Sequence, residues 1–452
     1  MELYHPERDL ASFVSFNLSA VGGTASLVAE LTSLFWTTYP PSTRAPKSHV
    51  VSSHEHCLEQ LVLNLVSVAN EELASLEFVV RTRFYADQRH YLGPLVTSSS
   101  VQHAVAFLHD HNLVSVATGY ASVDSSKRRA SSIRPTMEFV KLCQKHDVCT
   151  FEVKPKPTLP LRLRMTKEAT SQEDEHESGL VEFHESEETE RMTGNLGLIN
   201  EFLATTTVAL DMTPAQWADM EWRLIGKAKR QKRRPKRIRW LISPLYRVFN
   251  NSRWDHGGRF YGPDYQGIPK EYRQFLMIDG QPTVEVDFTA MHPTMLYARL
   301  GVQLVGDPYR TPFCNDRDLV KVTLNALLNA KRRNIKPVDL FDSETAGMTW
   351  KQFVDRVLEH FRPLQRFICS GEGIKLQRID SDIAEMVMLA FVRFGIPILP
   401  MHDSFLVPAQ HEHLLIDTMK SAFLDKISFS CEVKVKRREG STQSAQPEYR
   451  AA

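Results

Sequence analysis

The stretch VEVDFTAMHPTMLYARLG, residues 284–301, decides how this chain is read. It opens with β-branched valines and closes a buried-strand pattern on Asp287 before turning into a new element. A second stretch, FGIPILPMHDSFLV at 394–407, does the same: an apolar run ends on Asp403 and turns. One aspartate at a strand end is ordinarily a turn former. Two of them, delivered from neighbouring strand ends, make an oxygen donor set suited to a pair of hard divalent cations such as magnesium.

Three further segments surround these two. In WDHGGRFYGPDYQGIPKEYR (254–273), Gly257 and Gly258 let the backbone approach a ligand closely. Arg259 and Tyr261 there offer a planar cation and an aromatic ring. In RDLVKVTLNALLNAKRRN (317–334), Arg317 and Lys321 are four apart and share one helical face. GIKLQRIDSDIAEMVMLAFVRF (373–394) reads as a long helix with Ile383, Met386, Val387 and Ala390 as its buried stripe. Taken singly, these are a glycine turn with a surface arginine, a basic helix and a core helix.

In this order, the five segments resemble the polymerase superfamily that joins family A DNA polymerases to the single-subunit RNA polymerases of phages and mitochondria. The resemblance covers roughly residues 244–435 and marks the chain as a divergent, reduced member. It implies an α+β right-hand core, with palm strands carrying the aspartates and fingers between about 303 and 375. It implies two Mg2+ ions, with Mn2+ as an alternative, held by Asp287, Asp403 and the backbone carbonyl of Phe288. Arg317 and Lys321 would grip a nucleoside triphosphate, while Arg259, Tyr261, Gln377 and His402 would position primer and template. The aromatic and tyrosine positions of the family's fingers helix are here Asn325 and Asn329, which can hydrogen-bond but not stack. His292 stands where DNA polymerases carry a glutamate against the sugar 2′-hydroxyl and RNA polymerases carry glycine.

The implied activity is template-directed nucleotidyl transfer. A bulky His292 and the missing fingers tyrosine favour deoxynucleotides, hence a DNA polymerase acting in DNA replication. The Ser404-Phe405 continuation, and a spacing of 25 residues from Gln377 to His402, favour an RNA polymerase or primase instead. A non-enzymatic DNA-binding regulator of replication or transcription with a degenerate palm is the rival of another class. It would have no physical reason to keep two aspartates and an Arg-Lys pair together. Nothing in 1–240 supplies the carboxylate cluster of a proofreading exonuclease, so none is expected.

The 452 residues suffice for two or three domains, and 42% hydrophobic with 24% charged side chains is ordinary for a globular protein. With 55 basic against 54 acidic residues, bulk charge (+1) indicates no partner; its distribution does. Nine acidic residues fall between Glu173 and Glu190, a segment read as solvated linker, and nine of the thirteen residues from Lys227 to Arg239 are Lys or Arg. Lys232, Arg233, Arg234, Lys236 and Arg237 form the centre of that strip. Lying just before the catalytic segments, it reads as a contact for nucleic-acid backbone rather than a solvated linker.

Residues 1–53 have little periodicity and read as a poorly defined leader. Residues 54–153 supply a helix from His54 to about Val80, then helix, strand, a basic tip at Lys127, Arg128 and Arg129, and helix. That order suits a winged-helix nucleic-acid-binding domain or a small helical domain with a basic loop. Residues 154–243 read as linker, helices and basic strip in a thumb-like region, and 244–452 as palm and fingers. The six cysteines form no CxxC pair, and Cys143, His146 and Cys149 match no common zinc spacing. No signal-peptide pattern and no membrane-length apolar run is present, so a cytoplasmic protein with no membrane partner is expected.

Overall fold

The computed structural model describes residues 12–13, 15–16, 18–40, 47–69, 76–78, 95–119, 130–148, 152–156, 159–165, 180–230, 238, 242–330 and 332–437. The basic tip at 127–129, Cys149, the acidic residues 173–177 and the strip residues Lys232, Arg233, Arg234, Lys236 and Arg237 lie outside them. Helices and mainly antiparallel sheets make a mixed α and β protein in two compact units.

The first unit is mainly N-terminal, and residues read as a leader help to build it. Helix α1 (Gly22–Thr38) buries Leu27, Leu31 and Phe35, one turn apart, which places them on one stripe. The Glu152 carboxylate accepts hydrogen bonds from the Thr24 amide (2.9 Å) and hydroxyl (2.7 Å) at its first turn. Helix α2 (Ser48–Val66) is buried on several sides, with Cys57, Leu58, Leu61, Val62 and Leu65 in the core. Two amides on it are spent on the preceding chain. Gln60 accepts from the Leu18 amide (2.7 Å) and donates to its carbonyl (3.1 Å), and Asn64 does the same for Ser15 at 3.0 and 2.7 Å. The expected loose leader is therefore corrected for its described residues: side-chain amides, together with the pairing of Leu18–Ser19 against Lys154–Pro155, hold it down.

The helix expected to reach Val80 ends at Val66 instead, and β1 (Leu76–Phe78) follows. Helix α3 (Ser98–Asp110), β2 (Val114–Ala117), β3 (Ser131–Pro135) and α4 (Met137–Lys145) complete this part. β3 lies between β1 and β2 and is antiparallel to both, while the short strand Ser12–Phe13 runs parallel to β1 on its outer side. The side chains of Thr97 and Thr136 cap α3 and α4 by accepting from the Ser100 and Phe139 amides.

The second unit holds both aspartates. It begins with α5 (Glu187–Leu203) and β4 (Val208–Leu210), so residues 187–211 belong with it rather than with a separate 154–243 segment. After helix α6 (Pro214–Arg230), which belongs to the first unit, the hairpin β5 (Tyr246–Asn250) and β6 (Arg253–Tyr261) follows, turning at Asn251 and Ser252 in left-handed conformation. Next come β7 (Leu276–Ile278), β8 (Gln281–Phe288), α7 (Met291–Ala298), α8 (Arg317–Asn329), α9 (Trp350–His360) and α10 (Glu372–Phe394). The chain closes with β9 (Leu399–Met401), β10 (Ser404–Pro408), α11 (Glu412–Ile427) and β11 (Val433–Lys436).

The central sheet runs β9-β10-β8-β7-β4 with every pairing antiparallel, and β11 pairs with the far end of β8 beside β7. Helix α10 differs from its expected apolar stripe. Ile383, Ala384, Val387, Met388 and Phe391 are buried, but so are Arg378, Asp380, Ser381 and Glu385, while Met386 and Ala390 are only half-buried. A long helix with a charged buried face demands partners, and these partners shape the site.

Candidate active site

β8 alternates two faces. Val284, Val286 and Phe288 point one way into apolar core, and Thr283, Glu285 and Asp287 point the other. β10 is registered so that Ser404 lies opposite Asp287, and the two-residue turn His402-Asp403 sits just before it. The Phe288 amide points at the Asp403 carbonyl at 3.5 Å. Asp287 and Asp403 are thus brought side by side by the pairing of two strands. Burial and the Asp403 charge push the Asp287 carboxyl above its ordinary value, although Lys436 pulls the other way.

Lys436, which sequence reasoning missed, reaches in from β11. Its Nζ donates to Asp287 Oδ2 at 2.9 Å and to Glu285 Oε1 at 2.7 Å. Glu285 is buried and also accepts from the Ser404 hydroxyl at 3.0 Å. Burial alone would raise its carboxyl, but the Lys436 hydrogen bond and charge, helped by Arg273, hold it below the ordinary value.

A second cluster gathers around Asp380, also missed. This carboxylate on α10 is fully buried and accepts from Arg259 Nε at 3.2 Å to each oxygen, from Arg259 Nη2, and from His292 Nε2 at 2.8 Å. Local backbone explains how both partners arrive. Gly257 and Gly258, both at positive φ, bring β6 against α10 just before Arg259. Ala290 in left-handed conformation turns the chain from β8 into α7, whose second residue is His292. Burial pushes the Asp380 carboxyl up, but the His292 hydrogen bond and the Arg259 charge outweigh it and hold it low.

One turn along α10 lies a parallel arrangement. Arg247 is fully buried, donating to the Gly258 carbonyl (2.8 Å), Glu385 (3.1 Å) and Ser381 (2.9 Å). Burial lowers its guanidinium to about 10 against the opposing pull of Glu385.

The other expected residues divide. His402 adopts left-handed φ (68°) and its ring meets Tyr261 edge-on at 5.3 Å. Burial, then the Arg259 charge, pulls its imidazole below the ordinary value, and its Nδ1 is buried without a hydrogen-bond partner among the described residues. Arg317 is fastened to Asp307 at 2.6 Å and lies over the Tyr309 ring at 5.0 Å. Tyr309, buried and unnoticed in the sequence, feels Arg317, Asp307 and Asp403 together, which places Arg317 at the margin of the site. Lys321 is exposed one turn further on, and no contact ties it to the aspartates. Asn329 is exposed and donates to the Asn325 carbonyl of its own helix at 2.9 Å; Asn325 and Gln377 are half-buried.

Among the described residues there is no group of three or more His, Cys, Asp and Glu side chains arranged to hold a metal. The donors expected from the sequence, the Asp287 and Asp403 carboxylates and the Phe288 carbonyl, are all oxygen, as hard divalent cations require. Two carboxylates close enough to raise one of them carry negative charge that a cation would relieve, so the residues fit such an ion.

No helix of the described residues is long and apolar enough to cross a membrane. No protein-family model matches the chain, and no curated protein matches it. Among solved structures it is similar to the POL domain of Pol1 from M. smegmatis, determined in complex with DNA primer-template and dNTP. That likeness has a TM-score of 0.29 and 14% identity over 47% of this chain. The chain spans about half the length of that domain, 50%. A likeness this slight carries no weight on activity, and what the site can do rests on its own residues.

Proposed function

We propose that the chain is a template-directed nucleotidyltransferase, a DNA polymerase without proofreading. The observation that carries this is the pairing of β8 with β10, which sets Asp287 beside Asp403 and raises the Asp287 carboxyl despite its Lys436 partner. In this reading Asp287, Asp403 and the Phe288 carbonyl hold two Mg2+ ions, which supply Lewis acidity and charge neutralisation to phosphoryl transfer when bound. Arg317, stacked on Tyr309 and fastened to Asp307, faces the triphosphate as a fixed cation, and Lys321 adds an exposed, mobile one. Arg259, Tyr261 and His402 cluster beside Asp403 and meet the primer end, with Gln377 facing the duplex from α10. His292 bounds the sugar. The strand-helix-hairpin order of the first unit, with β3 between β1 and β2, supports a winged-helix nucleic-acid-binding role for residues 54–153.

The test is primer extension with separate deoxy- and ribonucleotide pools. Wild type is expected to extend with deoxynucleotides. Asp287→Ala or Asp403→Ala should abolish extension while leaving the fold and nucleic-acid binding nearly intact, since the carboxylates act in the transition state. Extension by either variant above a trace would sink the assignment. Extension by wild type with ribonucleotides alone would make the enzyme an RNA polymerase or primase.

A further inference from the structure

Asp380 belongs to no segment that pointed to the active site, yet it joins two that did. Its carboxylate sits on α10 with no exposure, and its three neighbouring donors come from two other elements, β6 and α7. A buried carboxylate needs a counter-charge, and Arg259, bound through Nε and Nη2, supplies one. The hydrogen bond from His292 is additional. It comes from a residue 88 positions away in sequence, and it ends on the same Oδ2 that Arg259 uses.

That bond has a chemical consequence. An ionised carboxylate can only accept, so Nε2 of His292 must carry the hydrogen that points at Asp380. The tautomer and the ring plane are then both fixed, and Nδ1 is the nitrogen left for other partners. Arg259 is fixed by the same group. It feels the Asp403 charge but is turned onto Asp380, so its planar fork is held in place without covering the aspartate.

We infer that Asp380 is a positioning residue that locks His292 and Arg259 into one rigid wall of the nucleotide site, and that sugar selection depends on this lock. The inference rests on the reading of His292 as the residue that bounds the sugar. A free imidazole on the second residue of a helix would swing between rotamers and discriminate weakly. One held by a buried acceptor presents a constant volume and a constant hydrogen-bonding edge. A purely structural strut would satisfy Arg259 equally well and leave His292 indifferent to it.

The experiment compares the ratio of kcat/KM for deoxy- over ribonucleotide in wild type, His292→Gly, Asp380→Asn and the double variant. His292→Gly should shift the ratio towards ribonucleotides by about 10–200-fold, the range of one lost steric or polar contact. Asp380→Asn keeps the shape and removes the charge, and should shift the ratio in the same direction, at least about 5-fold. The double variant should add no more than about 2-fold to His292→Gly, because both changes disable one device. Imidazole nitrogen shifts, read by NMR, supply a measurement that needs no activity. His292 should appear as a single Nε2–H form in wild type and as a mixture in Asp380→Asn. An unchanged ratio together with unchanged nitrogen shifts overturns the inference.

Should Asp380→Asn fail to fold, Asp380→Glu replaces it, moving the acceptor by one methylene; it should shift both readouts the same way by less, and no shift again overturns the lock. If wild type incorporates neither nucleotide, the polymerase reading falls. The nitrogen shifts then still decide whether Asp380 holds His292.

Discussion

At the scale of single residues, the site is defined by what each charge lacks. Asp287 has Lys436 on one oxygen, and Lys436 has Glu285 as a second partner, so the lysine is shared while the aspartate faces Asp403. The fold raises the Asp287 carboxyl above its ordinary value of 3.8, so the ionised form is the one it disfavours. The sign follows from linkage. A raised group contributes stability below its unfolded value, and that contribution is lost as pH rises through the folded one. At pH 7, without divalent ions, ionised Asp287 therefore opposes folding. Asp287→Asn should melt higher than wild type at pH 7 in chelator, and the gap should close towards pH 4. Lys436 keeps Glu285 in the variant, so no buried cation is abandoned. A variant that melts at or below wild type at pH 7 would show that Lys436 already compensates the charge. The same trade, stability given up for function, is expected wherever like charges must be gathered.

At the scale of elements, the packing of β6 on α10 is what aims Arg259. Gly258 sits at φ +86°, and a Cβ there would lie 2.8 Å from the Phe249 ring and 3.0 Å from the Ser381 hydroxyl. Gly301 provides the control: its φ is +73°, with nothing within 4 Å of a Cβ. Gly301→Ala should cost only the backbone strain, about 1 kcal/mol, whereas Gly258→Ala should cost about 1–3 kcal/mol more from overpacking. Urea midpoints with unchanged slopes would measure both. Equal losses would mean that the close approach is not tight.

Elements also mark where the sequence was readable. β8 and the β9-β10 turn declared themselves because an apolar or alternating run ended on an acid, a purely local signal. The spacing of Leu319, Val320, Thr323, Leu324, Leu327 and Leu328 likewise makes α8 a helix with one buried face. Helix α1 was missed although Leu27, Leu31 and Phe35 repeat every fourth residue, because Glu30, Thr32 and Ser33 between them, and Gly22 and Gly23 before them, dilute the pattern. Asp380, Arg247 and Lys436 could not be found locally. IDSD reads as surface until His292 and Arg259 fold onto it, and Lys436 meets Asp287 across 149 residues.

At the scale of the whole molecule, near-neutral net charge conceals segregation. The strip at 227–239 carries nine Lys or Arg, and its centre, Lys232 to Arg237, lies outside the described residues. Replacing Lys232, Arg233, Arg234, Lys236 and Arg237 with Gln should weaken nucleic-acid binding about equally for all sequences. It should also flatten the dependence of log affinity on log salt by up to about 0.9 per lost phosphate contact. An unchanged slope would leave the strip a linker. Direction of synthesis bears on the opposite end of the sheet. β8 leaves the ribosome long before β11, yet β11 covers the edge of β8 from Glu285 to Phe288. Until Val433–Lys436 arrive, the nascent chain holds an open hydrogen-bonding edge at the very strand that bears Asp287, beside an acid with no counter-charge. An open edge is a template for pairing with another chain. The acids themselves guard it in the interval, because a second nascent copy would have to lay the same two carboxylates against them. Like charges set on one strand thus act first as a repulsive seal on an unfinished sheet.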